Sequence, residues 1–171
     1  SSISYRGVCL VYIHSRNANP FGAGIDFIYV DSLDIIFNRI SDQNKFVATP
    51  EKESTVICCE ITYSKNDYLD QMSDVKIVEK TIDGLISMGI IEENEVLGNH
   101  VERLPEVYPM FTIGYRQIKS KVLAKVNSLN NLFTLGSLAE FSYTDLQVLF
   151  AKSRHFVNEI TSKTASLNNI A

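Results

Sequence analysis

Two runs constrain this chain most. Val8–Ile13 reads VCLVYI and Thr55–Tyr63 reads TVICCEITY, both nearly unbroken in apolar and β-branched residues. Such a run suits a strand covered on both faces, because successive side chains point to opposite sides and each side needs an apolar neighbour. Strands of this kind require partner strands and a covering layer. Asn19-Pro20-Phe21-Gly22 punctuates the chain, after which Ile25–Val30 reads as the next strand and Leu33–Ile40 as a third. The polar stretch Ser41–Ser54, with Pro50 and several charges, reads as a loop.

Beyond Tyr63 the period changes. Val75, Val78, Ile82, Leu85 and Ile86 fall at helical spacing, with Ser73 or Asp74 to cap the start and Gly89 placed to end it. Gly84 interrupts that helix at a cost of about 1 kcal/mol relative to alanine. His100–Val107 resumes alternation and stops at Pro109, and the spacing predicts a second helix from Gly114 to Leu129 that buries Tyr115, Ile118, Val122, Val126 and Leu129. Leu132–Leu135 reads as a short strand. A third helix should open near Thr144, whose hydroxyl can form a capping box with Gln147, and should bury Leu146, Leu149, Phe150, Phe156, Val157 and Ile160. The polar tail after Thr161 should fray. The expectation is one α+β domain over residues 1–171, a mixed β-sheet with helices packed on it and no repeats.

Composition narrows the partners. A formal charge of -4 and a pI near 5.4 disfavour nucleic acid and anionic membrane surfaces, which select basic faces. No apolar run reaches the roughly 20 residues of a membrane helix, and no signal-peptide pattern is visible. The chain begins with Ser1 almost directly on an apolar strand, which reads as a piece of something longer. Three cysteines are an odd number without disulfide or zinc spacing. Cys58 and Cys59, adjacent in a strand, should face opposite ways, and all three should be buried and reduced in a cytoplasmic protein.

The common catalytic signatures are missing: there is no phosphate-binding loop, no nucleophile elbow and no histidine pair at metal-ligand spacing. Gly22-Ala23-Gly24 lacks a third glycine and is followed by a strand, so phosphates would have no helix N-terminus to rest on; it reads as a turn. His14, His100 and His155 are far apart and read as surface residues.

Two segments carry more. Arg103-Leu104-Pro105-Glu106-Val107-Tyr108-Pro109-Met110-Phe111-Thr112-Ile113-Gly114-Tyr115 resembles the R-x-P-x-x-Y-P-x-Y-x-x-G-Y passage late in protoporphyrinogen-oxidase-like amine oxidases. Leu135-Gly136-Ser137-Leu138-Ala139-Glu140-Phe141-Ser142-Tyr143-Thr144-Asp145-Leu146-Gln147 is similar to the G-R-L-A-E-Y-x-Y-Y-D-M-D segment of UDP-galactopyranose mutases and their amine-oxidase relatives. The resemblance covers nearly the whole chain. It implies the substrate-binding domain of an FAD-linked enzyme, of oxidoreductase or mutase type, in carbohydrate or lipopolysaccharide metabolism. It further implies that Gly136 and the first-turn amides of Asp145, Leu146 and Gln147 approach the flavin, whose reduced form carries negative charge that a helix N-terminus favours. Tyr143 matches a tyrosine that bonds the substrate diphosphate in the mutases, and Tyr108 lies on the strand facing the substrate.

A structural reading stands beside each assignment: Gly136 as a turn glycine, Asp145 as a helix cap, the tyrosines as core aromatics with one satisfied hydroxyl. Three departures bear on the resemblance. The motif arginine is Ser137, the second motif aspartate is Gln147, and Phe111 stands for a tyrosine. The dinucleotide fingerprint G-x-G-x-x-G is not in the sequence. The expected partners are therefore an FAD-binding domain outside these residues, a sugar nucleotide, and another copy of the chain at the surface that domain would cover. The expected isolated chain is inactive and free of FAD, and the competing expectation is a binding domain that keeps the fold without flavin chemistry.

Overall fold

The computed structural model describes residues 3–50 and 53–168. Its contacts fall into two compact units: Tyr5–Tyr108, and the chain from Pro109 onward with Ser4.

The first unit is built on a five-stranded sheet in the order β2-β3-β4-β1-β5. Its strands are β1 (Tyr5–Ser15), β2 (Phe27–Tyr29), β3 (Arg39–Asp42), β4 (Thr55–Ser64) and β5 (Val96–Pro109). The pairings β1/β4, β3/β4 and β2/β3 are antiparallel, with Val11 opposite Cys59 and Ile40 also opposite Cys59 from the other side. The two apolar runs are thus the two central strands. Their odd-numbered residues Cys9, Val11, Ile13, Ile57, Cys59 and Ile61 form the core with Phe37, Ile40, Ile77 and Leu85. Cys58 points the other way, as adjacent strand residues must, and all three cysteines are buried and free.

Helix α2 (Asp74–Ser87) covers the core face, contributing Ile77, Thr81, Gly84 and Leu85. Ser73 caps it by accepting from the Lys76 amide, and Gly89 follows its end at φ 70°, a conformation glycine adopts without strain. Gly84 has a packing reason: a Cβ there would lie 2.8 Å from the ring of Phe37, which is 1% exposed. The short α1 (Tyr68–Gln71), capped by Asp67, was not legible in the sequence. Arg103 ties this corner together. From β5 it pairs with Asp74 at 2.9 Å and donates to the carbonyls of Leu69, Asp70 and Met72.

Several expectations need correction. The third strand is Arg39–Asp42, not Leu33–Ile40, because residues 33–38 turn to bury Phe37 in the core, with Ile35 and Ile36 packed partly against it, before pairing with β4 begins. The first part of the predicted Ser41–Ser54 loop is consequently strand and a 3-10 turn, Gln43–Phe46, capped by Asp42.

The second unit holds α3 (Tyr115–Asn127) and α4 (Leu146–Asn168). Leu132–Leu135 is not a strand: among the described residues it has no strand to pair with, and Phe133 packs edge-on against Phe156 of α4 instead. Of the positions expected to bury α3, only Tyr115 does so fully; Val122 and Leu129 are exposed. On α4, Leu149, Phe156 and Ile160 are half-buried, while Leu146, Phe150 and Val157 are 67%, 65% and 56% exposed. The helix does not fray after Thr161 but continues to Asn168, and Ala165 and Leu167 in that stretch are good helix formers. No helix among the described residues is long and apolar enough to cross a membrane.

Two outcomes follow from this packing. Gly84→Ala should destabilise the protein in urea or thermal denaturation despite its better helix propensity, because the methyl must displace a buried ring; an equal or higher midpoint would contradict the close approach. Burial, helped by the Glu60 carboxylate, pushes the Cys58 thiol up to about 11, and complete burial raises the Cys59 thiol as well. A folded-state pKa above the unfolded one means negligible thiolate at neutral pH in the native protein. Thiol reagents should therefore label the cysteines slowly at pH 7–8 and rapidly only after denaturation.

Candidate functional site

The second unit brings the two motif-bearing segments together. Residues 109–115 lead into α3 and residues 135–147 lead into α4. Two tyrosines fasten one to the other. Tyr115 donates its hydroxyl to the Phe141 carbonyl, and Tyr143 donates to the Pro109 carbonyl at 2.7 Å. Phe111 sits between them, its ring 4.5 Å from Tyr115 and 4.8 Å from Tyr143. A tyrosine at 111 would bring a further hydroxyl; the phenylalanine serves here as apolar filling between two hydrogen-bonded rings.

The turn from Gly136 to Ser142 is closed by its own backbone. Glu140 donates to the Gly136 carbonyl at 2.9 Å and Ser142 to the Ser137 carbonyl at 2.8 Å. Gly136 holds φ at 105°, a value that side-chain-bearing residues rarely adopt, and a Cβ placed there would meet nothing within 4 Å. The turn therefore presents bare backbone to open space. Phe141 also takes a positive φ of 48°, which aims its carbonyl at Tyr115. Glu140 is tied forward to α4 by an ion pair with Lys152.

Helix α4 opens two residues later than expected. The Asp145 carbonyl accepts from the Val148 and Leu149 amides, which makes Asp145 the cap and Leu146 the first helical residue. The Thr144–Gln147 capping box does not form, since Thr144 is not the cap; its hydroxyl pairs with Ser142 Oγ at 3.1 Å. Asp145, Leu146 and Gln147 are all exposed. Among the described residues, no acceptor is found for the Leu146 or Gln147 amide. Ser137, at the motif's arginine position, donates to the Thr144 carbonyl at 3.4 Å and so acts within the turn. Tyr108 belongs to the first unit, half-buried near the end of β5.

Sequence reasoning missed a cleft of about 540 Å³ beside this cluster. It is walled by Phe111, Tyr115 and Phe141 and rimmed by Arg116 and Lys119. The available signal was the spacing of the two cations, three apart at the start of a predicted helix and hence on one side of it. No cluster of potential metal ligands occurs among the described residues. His14, His100 and His155 are exposed, as read from the sequence.

What the arrangement can receive follows from its parts. The exposed amides at the start of α4 favour a group that carries negative charge, and the open backbone at Gly136 leaves room for close approach. Tyr143→Phe should lower stability by about 1 kcal/mol, because its hydroxyl bonds the Pro109 carbonyl. A denaturation midpoint equal to wild type would show that this hydroxyl does not hold the two segments together.

No family profile and no curated protein sequence matches the chain. Solved structures do. The fold is similar to that of reduced UDP-galactopyranose mutase, with a TM-score of 0.68 at 14% identity over 81% of this chain and 29% of that chain. It is also similar to the putative protoporphyrinogen oxidase from Exiguobacterium sp. 255-15, with a TM-score of 0.57 at 15% identity over 80% of this chain and 30% of that chain. At these identities the likeness is one of fold. The chain spans less than a third of the length of either structure. An α+β fold of the kind implied by the motif resemblance is therefore established from the backbone as well.

Proposed function

We propose that this chain is the substrate-side portion of an FAD-dependent oxidoreductase or sugar-nucleotide mutase that works in the cytoplasm in carbohydrate or lipopolysaccharide metabolism. The observation that carries the reading is a coincidence of two independent lines. The motifs at 103–115 and 135–147 resemble the same two enzyme groups whose solved structures share the fold over about four fifths of the chain.

In this reading Gly136 and the backbone at Asp145, Leu146 and Gln147 lie against the flavin. Gly136 lets the ring approach without a side chain in the way, and the α4 N-terminus offers N–H groups to the charge that reduction places on it. A flavin bound there would supply the hydride or covalent chemistry. Tyr143 and Tyr108 are each assigned to the substrate, a sugar nucleotide. Tyr143 can still accept a hydrogen bond through its oxygen while donating to Pro109. The pyrophosphate of FAD requires a glycine-rich turn at a helix N-terminus, and this sequence has none. It belongs to a separate FAD-binding domain, and the 171-residue chain alone is inactive.

A second reading has its own observation. Ser137 places no cation where the motif has arginine, and its hydroxyl is used within the turn. A binding domain that keeps the fold without flavin chemistry would show such a loss.

Calorimetric titration of the 171-residue chain with FAD should give no saturable binding below the micromolar range. A longer polypeptide containing it should carry the visible bands of flavin. In that polypeptide Gly136→Val should reduce flavin retention, since the branched side chain strains the positive φ and fills the open space. Stoichiometric FAD on the short chain would overturn the division of the site, and a colourless longer protein would favour the second reading.

A further inference from the structure

The cleft of about 540 Å³ beside the aromatic cluster contains none of the residues assigned above to a flavin or a sugar nucleotide. Its walls come from both motif segments: Phe111 and Tyr115 from the entry to α3, and Phe141 from the turn before α4. Phe111 stays 57% exposed despite its contacts with Tyr115 and Tyr143, so an aromatic surface is open to the cleft. Thr112 and Gln117 add a hydroxyl and an amide to the lining. Clefts of this kind, largely apolar with a few converging polar groups, hold small ligands, and roughly 300–1,000 Å³ is their usual size.

The charge around it is opposite to that of the chain. The net charge is -4, yet from Val107 to Ala139 the sequence has Arg116, Lys119, Lys121 and Lys125 and no aspartate or glutamate. Arg116 and Lys119 lie three apart, hence on one side of α3, and both line the cleft. Among the described residues neither side chain makes an ion pair or a hydrogen bond, and Glu140, next to Phe141, is already engaged by Lys152. Arg116 also stands in the first turn of α3, which has no acidic residue and where the helix dipole disfavours a cation. Gly114 caps that turn without a side chain, and a Cβ there would meet nothing within 4 Å. Among the described residues no acceptor is found for the Arg116 amide. A cation set against the helix field beside an open N–H breaks a local preference that an incoming anion would restore.

We propose that this cleft binds a planar ring carried on a phosphate monoester, the chemistry of a nucleoside monophosphate. The ring lies against the aromatic wall, where burial and stacking favour a flat π-system. The phosphate meets Arg116, Lys119 and the Arg116 amide. A monoester carries about 1.5 to 2 negative charges at pH 7, which answers two cations, whereas a carboxylate would leave one of them unmatched. The Arg116 guanidinium can take two phosphate oxygens at once, and Lys119 supplies a point charge. The bound ligand touches walls from both motif segments. It therefore holds residues 109–115 against residues 135–147 and reinforces the bond from Tyr115 to the Phe141 carbonyl. A small phosphorylated metabolite thus sets the stability of the second unit.

Calorimetric titration of the full 171-residue chain with adenosine monophosphate, adenosine and ribose 5-phosphate tests this. Saturable binding of adenosine monophosphate is expected, about tenfold tighter than that of either half alone, with a higher thermal midpoint at saturation. Arg116→Gln combined with Lys119→Gln should weaken it by about tenfold or more. Neither side chain is bonded to another described residue, so the double variant keeps the fold, and its unliganded thermal midpoint should equal or exceed that of wild type. Lys121→Gln removes a charge from the same helix outside the cleft and should leave binding unchanged. Absence of adenosine monophosphate binding would overturn the proposal. So would ribose 5-phosphate or adenosine binding as tightly, or equal losses from Lys121→Gln and the double variant. No flavin enters these titrations, so their outcome is separate from that of the flavin reading.

Discussion

The antiparallel ladder between β1 and β4 is the constraint on which the first unit depends. Pairing from Arg6 opposite Ser64 to Ser15 opposite Thr55 turns every odd residue of both strands to one face. A slip of one residue would move Cys9, Val11, Ile13, Ile57, Cys59 and Ile61 out of the core together and bring His14 and Glu60 in. With that register fixed, the remaining elements have little freedom. Phe37 and Ile40 enter from the β3 side, α2 lays Ile77 and Leu85 over the same face, and Gly84 clears space for Phe37. Arg103 then joins the far side of the sheet to the start of α2 with one ion pair and three carbonyl contacts. The motif arginine is here a structural tie.

The parts legible in the sequence are those whose periodicity reports burial on a known face. The two central strands, β5 and α2 with its serine cap and terminal glycine all follow from spacing alone. The misreadings share one cause: local pattern does not reveal whether a partner is within reach. Leu132–Leu135 has strand-like residues but pairs with no strand among the described residues, and in Leu33–Phe37 only Phe37 is fully buried, Ile35 and Ile36 packing partly against the core. Leu146, Phe150 and Val157 follow helical spacing as if buried, yet nothing among the described residues covers them. An apolar stripe of that size left open on a helix is the mark of a surface that meets something else.

At the candidate site, the residues picked out by motif resemblance also hold the second unit together. Tyr115 and Tyr143 join the two motif segments by bonding main-chain carbonyls, with Phe111 between them. Gly136 and the opening of α4 are what remain exposed once those bonds are made. Thr144 lost its expected cap because the turn from Ser137 to Ser142 delivers Asp145 to the helix start instead. That shift depends on bonds inside the turn, which no spacing rule anticipates. The cations Arg116 and Lys119 became visible only when the aromatic wall beside them was in place.

The proposal that this α+β fold is the substrate-side portion of a longer flavin-dependent enzyme makes one demand on the rest of the gene: a pyrophosphate-binding segment. Sequencing the reading frame upstream of Ser1 tests it most directly. The account predicts a strand followed at once by G-x-G-x-x-G opening a helix, because FAD needs that turn and these residues do not provide it. A start codon immediately before the first strand, with no such segment anywhere in the frame, would contradict it.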